Sequence, residues 1–432
     1  MRDILIILIV FGSLPYILAR PYIGILMWSW LGYMNPHRLS WGFAYDFPFA
    51  QIVAITLMVA IAFSRERKRV PVTTLTAIWW LFILWMTLST LFAIFPEDAQ
   101  AQYIKVIKIQ LIIFFTLILM GTKERLHLLV WIMVISLGYF GVKGGIFTLL
   151  TAGNFRVWGP PDSFIEGNNE LALALLMILP LMQYLRMQSN NIWGRRGLLL
   201  SMALCGISAA GSYSRGAFLA AFSMAVFLWL KSARKVTGGI ALVVAFPLVF
   251  AFMPTAWHER MDTINTYEED ASAMGRVNAW HYAFNLANDR FLGAGFESWT
   301  RETFAVYAPV PDDVHQAHSI YFGVLADHGW VGLIMFLSIF LMAWRNGTWV
   351  IRRVDLCPEL RWLGDLSRMI QVSLVAYATG GAFLSLSYFD LPWHLVAIMV
   401  LSRSIAVEQL KHLGVWSNVK NVSASSPQLS AR

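Results

Sequence analysis

Charge is what this chain has least of. Only 13% of its 432 residues are Asp, Glu, Lys or Arg, whereas soluble domains carry about 25%. So few charges exclude a cytoplasmic enzyme, a nucleic-acid-binding domain and a disordered chain. Cysteine is almost absent as well. Cys205 lies in an apolar run and Cys357 in a basic loop, which excludes a disulfide framework or a Cys-based metal site. No Gly-rich loop ends in Lys-Ser/Thr, and 141–148 around Lys143 lacks the spacing, so an ATP-driven pump is not expected. No internal repeat with broken mid-membrane helices is visible, which argues against a transporter. Ile4–Ala19 is apolar but is followed by Arg20-Pro21 rather than a small-residue cleavage site, so a cleavable leader is not expected.

What fills the sequence is apolar. Hydrophobic residues make up 58% of it and the mean hydropathy is +0.59. Its 19 tryptophans suit the bilayer–water boundary. This composition predicts an all-α polytopic membrane protein. Crossing the hydrocarbon takes about 20 apolar residues, and runs of roughly that kind occur at 49–63, 75–95, 103–120, 127–150, 171–185 and 198–213. Others lie at 217–230, 238–253, 319–344, 369–386 and 391–405. Residues 4–34, broken by Arg20-Pro21, form either one or two spans, giving about 12 in all (11–13). The expected organisation is transmembrane helices over 1–253, a large loop at 254–317, further transmembrane helices at 318–407 and a tail at 408–432.

Of the 33 Lys and Arg, 21 fall on one side of this arrangement, in clusters such as Arg65/Arg67/Lys68/Arg69 and Arg345/Arg352/Arg353/Arg361/Arg368. The positive-inside rule makes that side cytoplasmic. The long loop then faces the opposite way, where positive charge is sparse and each cation is a candidate for a specific task. Within the loop, 276–287 has helical spacing with Val277, Trp280, Ala283, Phe284 and Ala287 on one stripe. That pattern predicts an amphipathic helix on the membrane surface.

Several groups on that face carry possible chemistry. Lys105 and Lys108 open a span and share a helix face, so they either grip an anion or snorkel to the headgroups. Arg215, in the turn Ser212-Tyr213-Ser214-Arg215-Gly216, has no acidic neighbour in sequence. Its guanidinium suits a phosphate held bidentately, an interfacial anchor being the plainer alternative. Arg276, after Gly275, is a second anion-binding candidate at an expected helix start. His318 follows Asp312-Asp313-Val314-His315 and either serves as a general base or caps the next helix; a metal site using both histidines and both aspartates is a further alternative. Asn168, Asn169 and Glu170 suit sugar hydroxyls, although Asn169 as a helix cap explains them equally well. Asp390 is a lone carboxylate in the last outer loop, placed to orient a histidine or bind a hydroxyl.

Taken in order, these motifs resemble the O-antigen ligase/O-antigen polymerase superfamily. The resemblance rests on Ser214-Arg215-Gly216, Gly275-Arg276 with Trp280, and His318-Ser319-Ile320-Tyr321 through Gly329, and is strongest from 168 to 390. Tyr33-Met34-Asn35-Pro36-His37-Arg38-Leu39 and Gly167-Asn168-Asn169-Glu170 are similar to an exosortase-associated ligase subgroup. The resemblance implies a glycosyltransferase-C-like fold in the bacterial inner membrane, with its active site facing the periplasm. It implies a donor glycan on undecaprenyl pyrophosphate and, as acceptor, lipid A–core, another glycan or a protein. Membrane lipids are the remaining partner, and no nucleic acid, cofactor or metal is expected. The family's essential arginines would fall on Arg215 and Arg276 and its histidine on His318. His315, Lys105, Lys108, Asn168, Asn169, Glu170 and Asp390 would contribute to substrate binding.

Overall fold

A computed structural model describes residues 2–66, 70–231, 247–248, 250–262, 271–355 and 357–414. Of the described residues, 78% are helical and none is in a strand. The helices are α1 (Arg2–Ala19), α2 (Tyr22–Met34), α3 (Phe49–Phe63), α4 (Thr74–Leu91), α5 (Pro96–Leu119), α6 (Lys123–Leu150), α7 (Asn168–Gln188), α8 (Ile192–Ala210) and α9 (Arg215–Lys231). After them come α10 (Thr255–Asp262), α11 (Ala271–Asp289), α12 (Arg301–Tyr307), α13 (Ile320–Val354), α14 (Arg361–Gly380) and α15 (Asp390–His412). Most of the expected span 238–253, the basic residues Arg67, Lys68, Arg69, Arg234 and Lys235, and the tail from 415 lie outside the described residues.

Among the described residues, seven helices, namely α1, α4, α5, α6, α7, α13 and α15, are long and apolar enough to cross a membrane, and α3 is a shorter apolar one. The protein is therefore an all-α polytopic membrane protein. Residues 4–34 form two helices, because Pro21 stands between α1 and α2 and cannot continue the first. α15 is the most enclosed, with 83% of its apolar window buried, and α1 the most peripheral, at 22%. That contrast makes α15 the axis around which the others pack.

Helix starts differ from the sequence expectation in ways that bear on function. α5 begins at Pro96, seven residues before the apolar run, because Pro at N1 with Glu97 and Asp98 in the first turn suits a helix start. Lys105 and Lys108 thus sit inside a helix instead of opening one. α7 begins at Asn168 with Gly167 as N-cap, so Asn169 is not the cap. α11 begins at Ala271, which places Arg276 in its second turn, away from the free N–H groups of the first. α13 runs 35 residues and is broken at Gly329 (φ 65°, ψ −171°).

α11 also departs from the surface-helix expectation. Its buried face is Asn278, Ala279, Tyr282, Ala283, Leu286 and Ala287, while Phe284 is exposed. The buried residues pack with Ala294, Phe304 and Ala326 into a small separate core. The helix docks on protein: Trp280 stacks on Phe322 of α13, Ala326 of α13 belongs to the same core, and Tyr282 stacks on Phe304 of α12 with ring centroids 4.4 Å apart and donates its hydroxyl to the Ser298 carbonyl.

Candidate functional site

Four helices present their N-termini at one end of the bundle, and polar contacts tie those ends together. Asn168, at the start of α7, donates its amide to the Ser212 carbonyl over 2.6 Å. This fixes the turn leading into α9, where the Ser214 hydroxyl accepts from the Ala217 N–H. The Ser387 hydroxyl, just before α15, donates to the Ile320 carbonyl in the first turn of α13. Helix N-termini gathered in this way present a positive potential to anions. Arg215 occupies the first position of α9 and is half-buried.

Arg276 and His318 meet at the same end. The Trp280 indole donates to the carbonyl of Ala317, the residue before His318, over 2.8 Å. The same indole stacks on Phe322 at 5.0 Å and 9° between planes. Its ring lies 6.3 Å from that of Phe383, whose Cβ abuts Gly216, next to Arg215. One aromatic side chain thus couples the helix carrying Arg276 to the histidine and to the turn carrying Arg215. Asn278 clamps the approach to His318, donating to the Val310 and Asp313 carbonyls and accepting from the Val310 N–H. His315 is exposed, pairs with Asp313 at 2.8 Å and lies flat against Gly275. A Cβ at 275 would sit 2.4 Å from the His315 ring. Glycine is the residue that lets this ring approach the backbone beside Arg276.

His318 is half-buried and adopts a left-handed backbone (φ 42°). Tyr213, two residues before Arg215, does the same (φ 61°). Left-handed non-glycine residues cost about 1–3 kcal/mol each and concentrate at functional sites. Burial, then the positive charge of Arg276, then His315, pull the His318 imidazole down to about 4. It is therefore neutral at pH 7 and able to accept a proton. Arg276 also lies within electrostatic reach of Glu170, whose carboxylate folds back over Gly167.

A cavity of about 230 Å³ opens directly beside His318, lined by both of its chain neighbours, Ala317 and Ser319. Lys105 is on its wall, with its ammonium 4.5 Å from the Phe164 ring centroid. Lys108 and Asn169 are not among the lining residues. Asp390 is buried beside Gly32 at the first turn of α15, within electrostatic reach of Lys105. It is thus an interior carboxylate rather than a loop residue. Among the described residues, no group of three His, Cys, Asp or Glu side chains is arranged to hold a metal ion.

One cluster escaped the motif analysis. Asp327 lines the cavity, and its Oδ2 accepts the Tyr388 hydroxyl at 2.9 Å. That hydroxyl is also 2.9 Å from His328 Nε2, while His328 Nδ1 is 2.7 Å from the Ser89 hydroxyl. The Ser89 hydroxyl also donates to the Met86 carbonyl over 3.0 Å, so the three side chains and that carbonyl form one continuous hydrogen-bonded chain ending on Asp327. The signal was present in the sequence: Asp327-His328 interrupts an apolar run, and ionisable residues at membrane depth are costly unless they serve a function.

Fold and site together define a polytopic helical membrane protein whose bundle end gathers two arginines and a half-buried histidine near a polar cavity. Residues 200–337 match the family described as O-antigen ligase, a domain that supports kinship with the O-antigen ligase/polymerase superfamily. Arg215, Arg276 and His318 all fall within the matched stretch. Residues 1–190 match a family of unknown function, DUF5935, and this part contributes Lys105, Lys108, Asn168, Asn169 and Glu170. Among curated proteins, none matches the chain.

Proposed function

We propose that this protein is a ligase that transfers a glycan from undecaprenyl pyrophosphate to a sugar hydroxyl of lipid A–core, at the periplasmic face of the inner membrane. The observation that carries this reading is the meeting of a neutral, half-buried His318 with Arg276 at an end of the bundle that also presents Arg215 and four helix N-termini. A sugar hydroxyl becomes an effective nucleophile as its proton is removed, and His318 takes that proton. The hydroxyl oxygen bonds to the anomeric carbon from the face opposite the leaving group. The bond from that carbon to the pyrophosphate oxygen breaks, and the electron pair leaves with the lipid pyrophosphate. A single displacement of this kind inverts the anomeric centre. Arg215 and Arg276 hold the charge that develops on the leaving group, and preorganised cations aimed at developing charge are a strong catalytic device. A bidentate guanidinium also favours arginine over lysine in this role. General-base assistance is typically worth about 10²–10⁴-fold, so His318→Ala is expected to lose most turnover while binding donor nearly as well as wild type.

The test supplies purified protein with lipid-linked glycan together with lipid A–core, with unmodified protein, or with no acceptor. Glycan appearing on lipid A–core alone supports the reading. Lengthened lipid-linked glycan without added acceptor would assign a polymerase, and glycan on protein would assign a protein ligase. Movement of donor across the bilayer with no transfer in any arm would assign a transporter and overturn the proposal.

A further inference from the structure

The cavity beside His318 differs in character from the arginine site. Neither Arg215 nor Arg276 lines it, and its polar groups are mostly acceptors and hydroxyls: Asp327, Glu297, Ser387 and Tyr388, with Lys105 the one cation. We propose that this cavity is a pyranose-binding site. It takes one uncharged sugar ring, the terminal ring of the acceptor, next to the chain segment that carries His318. Its role as acceptor site rests on the ligase reading; its affinity for a pyranose does not.

Four observations support this assignment. Ala317 and Ser319, the chain neighbours of His318, line the cavity although the His318 side chain itself does not, so a ring lodged there lies against the segment that carries the imidazole. The volume of about 230 Å³ is below the roughly 300–1,000 Å³ typical of drug-sized ligands, which fits one ring and not an oligosaccharide. The walls combine the aromatic faces of Trp299, Phe164 and Phe296 with a few polar groups, the usual make-up of a site that orients a small ligand. The exposed Glu297 at the cavity wall also disfavours a phosphate there.

Asp327 is the most telling of these groups. It is only 6% exposed, sits in a membrane-spanning helix and faces the cavity. Tyr388, itself held by His328, occupies Oδ2. A carboxyl group fixed by such a relay is pre-oriented for a ligand hydroxyl, and stranding a buried hydrogen-bonding group costs about 1–3 kcal/mol. Glu297, which also lines the cavity, is exposed and has a left-handed backbone (φ 58°).

The experiment uses the full-length protein in nanodiscs. Saturation-transfer NMR is recorded with methyl glucoside, methyl galactoside, methyl mannoside and methyl N-acetylglucosaminide, with inorganic pyrophosphate as competitor. At least one glycoside is expected to bind, to resist pyrophosphate, and to persist in Arg276→Gln. Asp327→Asn should weaken it by about 10–100-fold, within the cost given above. Glu297→Gln, at an exposed position that does not threaten folding, should weaken it by several-fold. In turnover, Asp327→Asn should raise the acceptor KM and leave donor affinity unchanged. Binding of none of the four glycosides, displacement by pyrophosphate, or equal affinity in Asp327→Asn and Glu297→Gln would each overturn the proposal. Glycoside binding by a protein that transfers no glycan would sink the ligase reading and leave the pyranose site standing. Transfer in a protein that binds no glycoside would do the reverse.

Discussion

The proton-accepting power of His318 is set by its neighbours, and the sign can be worked out. Burial and the charge of Arg276 disfavour the imidazolium and bring the group to about 4. Catalysis as a base needs the neutral ring, so kcat/KM, which reports the free enzyme, should stay flat from pH 7.5 down to about pH 5. An ordinary histidine near 6.5 would already be mostly protonated there. Bound donor brings a pyrophosphate that offsets Arg276 and favours the imidazolium again. The acid limb of kcat should therefore lie at higher pH than that of kcat/KM. Paired pH profiles check this, and coincident limbs near 6.5 would rule out the depressed histidine. Asn168 tests a different residue-scale claim. Its amide is committed to the buried Ser212 carbonyl, so Asn168→Ala should strand that acceptor at a cost of about 1–3 kcal/mol. Donor affinity should fall as the Arg215 turn loosens, whereas Asn169→Ala should change little. Donor titrations and melting temperatures on both variants decide it.

At the scale of elements, α13 joins the site to the membrane through a break that hydropathy alone did not reveal. Gly329 lies in a region of backbone space open almost only to glycine, and a Cβ there would stand 2.5 Å from the Phe291 carbonyl. The break lets the carbonyls of Ala326 and Asp327 accept from the N–H groups of Ala294 and Gly295, which anchors the long loop to the helix below His318. Gly329→Ala should lower stability by more than the about 1–3 kcal/mol of backbone strain alone. Gly121→Ala, where nothing lies within 4 Å, is the control; equal melting temperatures would refute the argument. Helix existence was legible in the sequence because apolar runs are long, and α3 spans the same residues in both accounts. Helix starts were not, because polar turns such as Pro96-Glu97-Asp98 extend helices beyond the hydrocarbon. The amphipathic stripe assigned to α11 was off by about one position for a related reason. A sequence stripe shows which side is apolar on average, and the Asn278 clamp and Tyr282 stack turn the helix so that polar atoms find partners. Arg215, Arg276 and His318 were legible as a set from the order of their motifs. The Ser89–His328–Tyr388–Asp327 relay was not, because it joins three distant segments.

For the whole molecule, the distribution of cations makes two predictions. If arginines supply the charge that stabilises the leaving pyrophosphate, transfer should survive EDTA at concentrations that strip divalent ions. Loss of transfer on chelation, restored by a divalent cation, would show that the arginines are insufficient. The second concerns orientation. The net charge of +8 is unevenly spread: Arg345, Arg352, Arg353, Arg361 and Arg368 gather around the α13–α14 connection, and Arg403 donates to Asn346 at that same end. The opposite end carries the site, where cations are few and Lys105 and Arg276 act on particular carboxylates. The positive-inside rule predicts that the end rich in Lys and Arg stays in the cytoplasm, and with it that α11 and His318 face outwards. His281 and Arg352 are both exposed, one at each end, while the native Cys205 and Cys357 are buried and give little background. In spheroplasts, an impermeant maleimide should label His281→Cys without permeabilisation and Arg352→Cys only after it. Labelling in the reverse order would place the histidine and both arginines on the cytoplasmic side. A periplasmic acceptor could not reach them there, and the ligase reading would fall with the topology.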